Sequence, residues 1–464
     1  MKKLGIVITD GVGFRNFMLS NFMEEVSQQF DAVIIYSGLP KSAYQKRLPA
    51  NITIKELEVF KESKRTWFFR KWKEVAHLQK YQSFYGMKDN LISGYPKTNS
   101  IRSLLVKGIY FFTHFIHLDA SILFAEKLQF LSFSKNSVTQ SYLILLKEDR
   151  PSHVFFTHQR PPFLAPFLVA AKQLKLQTST FIFSWDNLAS KGRMLGNFDE
   201  FLVWSHLMKD ELLYFYPSVK DKNVKVVGTP QFEPYVMPKY ATTKEYFLNK
   251  FELNADNKTI CYSCADVSIG KNDPVVITAI AHAIRSNTIE SEVQLLVRTS
   301  PAEDDVRFKS VREEFPEIVW NVPKWKLTRE HHAESWSQRV PSEEDIKDLR
   351  AVIEYVDLNI NMCSTMSLDF MLFDKPVINT VFGNETNRLY NDQRFLNYDH
   401  YKKVVDSGAV TVAKNETELI AQINEALANP KKRTEQRNGM IDLQIGKPLL
   451  DTSKRIAETL RQWA

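Results

Sequence analysis

The stretch of chain from 357 to 381 constrains the fold more than any other part of the sequence. Its first five residues carry apolar side chains at alternate positions, which predicts a short β-strand. Ser364 and Thr365 follow where a helix should begin, because small hydroxyl side chains are favoured at the N-cap. The helix is predicted at about 366–373, and a second buried strand at 377–381. A strand, a helix and another strand in this order are typical of an α/β domain.

The turn before this predicted helix has the features of an anion site. Backbone N–H groups at a helix N-terminus, together with the positive end of the helix dipole, face a phosphate group placed there. Asp369 lies four residues after Thr365 and shares its helix face, where a carboxylate could accept hydrogen bonds from ribose hydroxyls. The pattern predicts the nucleotide diphosphate site of a transferase. The alternative is that Ser364 and Thr365 only cap a packed helix and that Asp369 is a surface residue.

Composition and charge exclude several classes of protein. The 464 residues suffice for two or three domains, and the three cysteines, among them Cys261 and Cys264, predict neither disulfides nor a zinc site. Glu330, His331 and His332 are adjacent, so we expect a loop near the nucleotide or plain surface rather than a metal site. The net charge of +7 suits an anionic substrate or membrane surface, but no motif that reads nucleic acid accompanies it. Without a signal peptide or a run of bilayer-spanning length, we expect a cytoplasmic protein.

The N-terminal segment predicts a βαβ unit. A fully apolar strand at 4–9 leads into a glycine-bearing loop, a helix at about 14–29 and a second strand at 32–36. The loop lacks the GxGxxG pattern, so it gives no dinucleotide-binding fingerprint. Ligands of doubly wound sheets bind outside the carboxyl ends of the strands, which puts Asp10 and Gly13 beside the predicted ligand site.

Polar side chains also follow two later strands, which are predicted at 153–157 and 177–183. These strands belong to one βαβ unit, so their carboxyl ends should present side chains to the same edge of the sheet. The polar residues that follow the two strands are His158, Arg160, Asp186, Asn187 and Lys191.

A helical and aromatic insertion is predicted at 60–150. Its first part interleaves basic residues with Trp and Phe, namely Lys61, Lys64, Arg65, Trp67, Phe68, Phe69, Arg70, Lys71, Trp72 and Lys73. Its second part, at about 101–133, is rich in Phe, Ile and Leu, but His114, His117 and Asp119 argue against a spanning helix. Such a pattern favours contact with an anionic membrane surface through 61–135. The alternative is an amphipathic helix packed on the domain, with its basic side solvated.

Several segments resemble bacterial transferases of the GT-B fold. The segment STMSLDFMLFDKPVI at 364–378 is similar to their donor-phosphate segment, including that of CDP-glycerol glycerophosphotransferases of teichoic acid synthesis. There, serines before a short helix hold the nucleotide diphosphate. The segments at 184–192, 203–212 and 226–235 resemble transferases of bacterial surface-polysaccharide synthesis. The similarity covers roughly residues 150–380.

This resemblance implies an α/β fold of two doubly wound, Rossmann-like domains that face each other across a cleft. The acceptor domain would span 1–235 and carry the helical insertion at 60–150. The nucleotide-sugar donor domain would span 236–445, and a terminal helix within 446–464 could cross back to the first domain.

The resemblance also implies roles for the residues at the strand ends. The expected donor-binding residues are Ser263, Arg298, Ser300, Ser364, Thr365 and Asp369. The expected acceptor-binding residues are Gly13, Arg160, Asn187 and Lys191. An acceptor hydroxyl needs a base within hydrogen-bond reach, and Asp10 is the first candidate, His158 the second and Asp186 the third. The structural alternatives are that Asp10 shapes the glycine turn, that His158 is satisfied at a domain edge, and that Asp186 holds an Asx turn.

The function implied is transfer of a sugar from a nucleotide-sugar to a lipid-linked or glycan acceptor in bacterial cell-surface polysaccharide synthesis. Such an enzyme would need no catalytic metal and no cofactor, would bind no nucleic acid, and could sit peripherally at the inner face of the membrane. Three alternatives remain open. They are a CDP-linked polyol-phosphate transferase, a nucleotide-sugar 2-epimerase, and a non-catalytic binding protein that kept the fold.

Overall fold

The computed structural model describes residues 2–44, 48–58, 60, 62–330, 335–383 and 390–464. Lys61, His331 and His332 lie outside this described part of the chain.

The chain divides into two compact units. Unit 1 comprises Met1–Gln231 together with Gly446–Ala464, and unit 2 comprises Phe232–Ile445. The division falls a few residues before the predicted boundary at 235, and the C-terminal segment belongs to unit 1.

Unit 1 is built on a sheet of seven strands, all paired in parallel, in the order β3-β2-β1-β4-β5-β6-β7. The strands are β1 (Lys3–Ile8), β2 (Ala32–Ser37), β3 (Ile52–Glu56), β4 (His153–Phe156), β5 (Gln177–Phe181), β6 (Glu200–Val203) and β7 (Val224–Val226). Strands β1, β2 and β4 are almost wholly buried, as continuous apolar strands between two helical layers should be. Their order places the carboxyl ends of β1 and β4 side by side.

Two helices follow β1 where the sequence predicts one. They are α1 (Gly11–Met18) and α2 (Phe22–Gln29). The predicted helix at 14–29 is therefore wrong in starting late and in running through 19–21. Ser20 accepts a hydrogen bond from the N–H of Phe22 at 3.3 Å, and this local bond competes with continuation of the first helix.

Five helices form the insertion between β3 and β4. They are α3 (Lys64–Lys80), α4 (Tyr85–Ser93), α5 (Ile101–Phe115), α6 (Asp119–Phe133) and α7 (Ser137–Asp149). Ser63 caps α3 and Ser100 caps α5, each by accepting from a backbone N–H three residues on. Among the described helices, none is long and apolar enough to cross a membrane.

The remaining helices of the first 231 residues follow β4, β5 and β6 in the chain. They are α8 (Ala165–Gln173), α9 (Asn187–Ser190) and α10 (His206–Phe215), with 3₁₀ turns at Lys41–Ala43, Pro162–Leu164 and Asp221–Asn223.

Unit 2 carries a second parallel sheet, of six strands in the order β10-β9-β8-β13-β14-β15, and a two-stranded antiparallel ribbon of β11 and β12. The strands are β8 (Lys258–Ser263), β9 (Val293–Arg298), β10 (Val319–Asn321), β11 (Trp325–Leu327), β12 (Arg339–Pro341), β13 (Leu358–Asn361), β14 (Val377–Thr380) and β15 (Thr411–Ala413). The predicted strand–helix–strand stretch therefore lies at the centre of this sheet, with β13 between β8 and β14.

The helices of unit 2 cover both faces of that sheet. They are α11 (Lys244–Phe251), α12 (Asp273–Arg285), α13 (Lys309–Glu314), α14 (Glu343–Tyr355), α15 (Met366–Met371), α16 (Asp399–Asp406), α17 (Glu416–Ala428) and α18 (Thr434–Gln444). Short 3₁₀ helices lie at Glu233–Val236, Pro238–Tyr240, Asp305–Phe308, Ser335–Gln338 and Tyr390–Asn397.

The last helix, α19 (Thr452–Trp463), packs within unit 1. The Trp463 ring stacks on His153 of β4, with the ring centroids 6.3 Å apart. Lys2 donates to the carbonyl of Arg461 at 3.3 Å. The two ends of the chain are therefore held together in one unit.

Candidate functional site

The carboxyl end of β1 delivers Asp10 to the start of α1. Asp10 is the N-cap of this helix, and its Oδ1 accepts from the N–H of Gly13 at 2.7 Å. Its Oδ2 accepts from the hydroxyl of Thr9 at 2.9 Å. The side chain is only 1% exposed, so these bonds fix the carboxylate in a place closed to bulk water.

His158 lies directly after β4, the strand beside β1. Its Nδ1 is 3.1 Å from Oδ2 of Asp10, and its ring stacks on Phe183 with centroids 3.9 Å apart at 13°. Among the residues that the structure describes, none forms a hydrogen bond with Nε2. Two of the three predicted base candidates are therefore one hydrogen-bonded pair, which we call the Asp10–His158 dyad.

The charge state of Asp10 determines which nitrogen of His158 is available. Burial alone would raise the pKa of Asp10, but the hydrogen bonds that it accepts from His158, Gly13 and Thr9 hold that pKa below its usual value. Asp10 is thus ionised at neutral pH, and Nδ1 of His158 carries the proton that it accepts. This tautomer leaves a lone pair on Nε2, as a general base requires.

Gly13 lies very close to the dyad. A Cβ atom at this position would come within 3.1 Å of Oγ1 of Thr157 and 3.5 Å of Oδ1 of Asp10. Glycine therefore leaves room for the side chain of Thr157 beside the first turn of α1. Its predicted contact with an acceptor stays a prediction.

Asp186, the third base candidate, belongs to a separate network of side chains after β5. Its Oδ1 accepts from the amide of Asn187 at 2.9 Å, and Nζ of Lys191 lies 3.4 Å from its Oδ2. The carbonyl oxygen of the Asn187 amide accepts in turn from Gln159 at 2.8 Å. This arrangement agrees with the structural role of a loop brace, while the predicted acceptor contacts of Asn187 and Lys191 stay predictions.

Gln159 is a buried residue that the sequence analysis missed. Besides its bond to Asn187, its amide oxygen accepts from the N–H of Phe183, the residue whose ring stacks on His158. In the sequence, its position between His158 and Arg160 is the one indication that it lies near the candidate site. Arg160 itself has a buried Nε with no hydrogen-bond partner in the described part of the chain.

In unit 2, the loop after β13 holds Ser364 and Thr365. Thr365 is the N-cap residue of α15, but its hydroxyl does not cap the helix; instead the hydroxyl of Ser364 accepts from the N–H of Met366 at 3.3 Å. Cys363 adopts φ = +48°, a left-handed conformation that costs energy for a residue with a Cβ. The loop is thus held in a conformation that the chain would not adopt unaided.

A buried network of amides and hydroxyls holds this loop from behind. Asn361, at the end of β13, accepts from the N–H of Ser364 at 2.9 Å and donates to Asn359 at 2.7 Å. Asn379 of β14 donates to Asn361 at 3.1 Å and accepts from Tyr401 at 2.9 Å. Because the three asparagine side chains and the tyrosine are at most 1% exposed, the bonds between them are shielded from water and the network is rigid.

Arg298 is buried at the end of β9 and already has strong partners. Its guanidinium bonds to both oxygens of Asp345, at 3.1 and 3.0 Å, and to the amide oxygen of Asn321. Asp345 also accepts from the indole of Trp325 at 2.9 Å. The ion pair of Arg298 is therefore buried rather than at the surface, and phosphate binding by Arg298 stays a prediction.

The other predicted donor residues are also buried. Asp369 is 2% exposed and its carboxylate accepts from the hydroxyl of Tyr235, so the alternative that it is a surface residue is wrong. Ser263 accepts from Asn359 at 2.8 Å, which links it to the amide network. The hydroxyl of Ser300 accepts from the N–H of Ala302 at 3.3 Å. Any contact with a ribose or a phosphate stays a prediction for all three.

No group of three or more His, Cys, Asp or Glu side chains in the described ranges is arranged to hold a metal ion.

Comparison with known proteins identifies the fold. No family model and no curated protein matches the chain. Among solved structures, a UDP-GlcNAc 2-epimerase from Neisseria meningitidis bound to UDP-GlcNAc is 12% identical, with all of both chains covered and a TM-score of 0.54. A putative UDP-N-acetylglucosamine 2-epimerase from Listeria monocytogenes is 10% identical, with 100% of this chain and 97% of that chain covered and a TM-score of 0.55. A glycosyltransferase from Rickettsia africae is 12% identical, with 100% and 98% covered and a TM-score of 0.51. The chain therefore has the GT-B type of fold, with two parallel-sheet α/β domains.

Proposed function

We propose that this protein is a glycosyltransferase that moves a sugar from a nucleotide-sugar to a hydroxyl of a glycan or lipid-linked acceptor in bacterial surface-polysaccharide synthesis. The observation that carries this proposal is the Asp10–His158 dyad at the carboxyl edge of the unit 1 sheet. A buried carboxylate that fixes one imidazole tautomer is an arrangement suited to removing a proton from a hydroxyl.

His158, rather than Asp10, acts as the base in this proposal. Both oxygens of Asp10 already accept hydrogen bonds, from Gly13, Thr9 and His158, whereas Nε2 of His158 accepts none from the described residues. Nε2 takes the proton of the acceptor hydroxyl as its oxygen forms a bond to the anomeric carbon. The bond between that carbon and the diphosphate breaks, and the nucleoside diphosphate leaves with the electron pair. The ionised Asp10 stabilises the imidazolium, and a single displacement of this kind inverts the anomeric centre.

Unit 2 binds the donor in this proposal. In this proposal the hydroxyls of Ser364 and Thr365 bind the diphosphate. The loop that carries them is fixed by the hydrogen bond from the N–H of Ser364 to the buried amide of Asn361 and by the strained backbone of Cys363. Donors that are fixed before the reaction stabilise charge that develops on a leaving group without having to reorganise. We propose this as a metal-independent site.

A thermal-shift screen tests the donor site first. Purified protein is heated with UDP, CDP, GDP, dTDP or CMP, each with and without magnesium, because a ligand of the native state raises the Tm. A shift with one nucleotide in the absence of magnesium supports the proposal and identifies the nucleoside. No shift with any of them contradicts the donor site and favours a non-catalytic protein.

The second candidate is a nucleotide-sugar 2-epimerase. The observation that favours it is the structural similarity to UDP-GlcNAc 2-epimerases. An epimerase converts the matching UDP-sugar in the absence of any acceptor, whereas a glycosyltransferase needs the acceptor. Chromatography of the nucleotide-sugar after incubation alone separates the two. A CDP-linked polyol-phosphate transferase is distinguished by phosphorus in the extended product.

A further inference from the structure

Helix α5 of the insertion exposes a continuous apolar stripe. Exposed side chains recur three and four residues apart, which places them along one helix face. They are Ile101 (82% exposed), Leu104 (56%), Leu105 (50%), Phe111 (73%), Phe112 (41%) and Phe115 (68%). A water-facing helix face normally carries polar residues, so this stripe points to a partner.

The opposite face of α5 is apolar too, and it is already packed. Val106, Ile109, Tyr110 and Thr113 are buried, and the hydroxyl of Tyr110 donates to the carbonyl of Leu91 at 3.0 Å. Of the exposed stripe, Phe112 also packs on the domain, edge-on against Trp72 with the ring centroids 5.3 Å apart, whereas Phe111 and Phe115 pack against each other.

The apolar surface continues beyond this helix. The connection to α6 exposes Ile116 (42%) and Leu118 (72%), and α6 itself exposes Leu123 (39%) and Phe124 (54%). An open groove of about 530 Å³ runs between α3 and α5 and is lined by apolar side chains, including Phe68, Trp72, Leu105 and Phe112. We call the exposed side chains of α5, of α6 and of their connection the apolar face.

Positive charge is concentrated in the same part of the chain. Residues 61–135 carry thirteen Lys and Arg against five Asp and Glu, a net charge of +8, whereas the whole chain carries +7. Several of these basic side chains are exposed and form no ion pair with any described acidic residue. They are Lys64, Arg65, Lys97, Arg102, Lys127 and Lys135.

The structure shows that some of the basic residues expected to contact lipid headgroups are engaged within the protein. Two of the six basic residues predicted to contact a membrane at 61–73 are already bound to other groups. Arg70 pairs with Glu62 and Glu74, and Lys73 is 1% exposed and donates to the carbonyl of Leu195. On α3, Lys64 and Arg65 at the N-terminal end stay exposed, whereas the apolar face lies on the helices that follow it.

We propose that the apolar face inserts into the interface of an anionic lipid bilayer, with the surrounding basic side chains on the lipid headgroups. The 15 residues of α5 give a helix roughly 22 Å long, which is shorter than the approximately 30 Å hydrocarbon core, so the helix lies in the plane of the membrane. Charge complementarity selects this partner over a second copy of the chain. Two copies meeting through this surface would bring two segments of net charge +8 together.

Vesicle sedimentation tests the proposal on the full chain. We expect the protein to pellet with vesicles of phosphatidylglycerol and phosphatidylcholine at low salt, and at least about tenfold less with phosphatidylcholine alone. Phe111→Asp with Phe115→Asp should reduce pelleting at least about tenfold, since both rings are exposed and their loss disturbs no core. The matched control places aspartate at two exposed apolar positions elsewhere, Val306 (75% exposed) and Leu450 (62%), and should pellet like the unchanged protein.

A charge series completes the test. Replacing Lys64, Arg65, Lys97 and Arg102 by Gln should weaken pelleting severalfold, and about 0.5 M salt should do the same to the unchanged protein. The control replaces Lys220, Lys222 and Lys225, which are exposed on another part of unit 1, and should have little effect.

Two results would overturn the membrane proposal. One is failure to pellet with anionic vesicles at low salt. The other is a dimer in solution that the Phe111→Asp and Phe115→Asp changes convert to monomer, which would make the apolar face an interface between copies. Neither result bears on the Asp10–His158 dyad, because nucleotide-induced thermal shifts and transfer to a water-soluble acceptor are measured without lipid.

Discussion

Replacing Asp10 by Asn tests the proposed dyad with the smallest possible change. The introduced amide keeps an oxygen that can accept from the N–H of Gly13, so the cap of α1 survives. Its nitrogen would take the place of Oδ2, between the hydroxyl of Thr9 and Nδ1 of His158. Because that nitrogen is a donor, Nδ1 of His158 must become an acceptor, and the proton moves to Nε2. The imidazole is then in the wrong tautomer to act as a base.

The expected magnitude follows from the role assigned to the pair. A positioned general base contributes roughly 10²–10⁴-fold to the rate, which corresponds to about 3–5 kcal/mol of activation free energy. We expect kcat to fall by this factor in D10N, with the nucleotide affinity unchanged because the proposed donor site lies in unit 2. The free energy of unfolding should fall by only about 1 kcal/mol, because Asn and Asp are similar helix caps and one charge-assisted bond is exchanged for a neutral one. Initial rates with a saturating donor, and denaturant melts, measure the two quantities.

A double-mutant cycle shows whether Asp10 acts through His158. If it does, D10N in an H158A background costs little more than H158A alone, because the base is already gone. Additive losses, or a normal kcat in D10N, would refute the dyad and return Asp186 to consideration. The matched control is Asp221→Asn, which makes the same chemical change at a side chain that is 72% exposed and should leave kcat unchanged.

Three further predictions concern particular side chains. Ser364→Ala with Thr365→Ala should weaken nucleotide binding, measured by calorimetry, about tenfold, as the loss of about one hydrogen bond would. The control Ser310→Ala, at an exposed position of the same unit, should not weaken it. Unchanged affinity in the double variant would refute the donor-binding role of these two residues. Arg298→Leu should cost about 3–5 kcal/mol of unfolding free energy because it leaves Asp345 buried and unpaired, and Arg298→Leu with Asp345→Leu should recover part of that loss in denaturant melts. Burial lowers the pKa of His153 to about 4 in the folded protein. As the pH falls, the imidazole of the unfolded chain therefore takes up a proton before that of the folded protein does. Up to about 3 kcal/mol of unfolding free energy is lost in this way between about pH 6.5 and pH 4. His153→Gln should flatten that part of the stability–pH curve, and an unchanged slope would contradict the assignment.

The fold could be predicted from the sequence because its signals are local. Continuous apolar runs such as 4–9 predict buried parallel strands, and alternation with helices predicts two α/β domains. The structure confirms both the strand–helix–strand order at 357–381 and the two parallel sheets. The break between α1 and α2 was missed because Ser20 competes with the helix through its own side chain, which apolar periodicity does not register.

The pairing within the candidate site could only partly be predicted. Strand ends placed Asp10 and His158 at the same kind of edge, but 148 positions separate them in the chain and the sequence ranks them as rivals. Only the adjacency of β1 and β4 makes them partners. Arg298 shows the opposite case. An arginine at a strand end predicts a phosphate contact, but in the structure its guanidinium pairs with buried Asp345, which lies 47 positions later in the chain.

The loop at 363–365 has a backbone conformation that the sequence alone does not predict. Its conformation depends on Asn361, whose amide neighbours come from β13 and β14 and whose hydroxyl neighbour, Ser367, comes from α15. A left-handed residue at Cys363 persists only when surrounding bonds outweigh its strain, and here those bonds are buried and linked to each other. A stretch of strand, serine and helix therefore does not fix this loop by itself. The polar core of the sheet also holds it, through the hydrogen bond from the N–H of Ser364 to Asn361, and that core exists only once the neighbouring strands have come together.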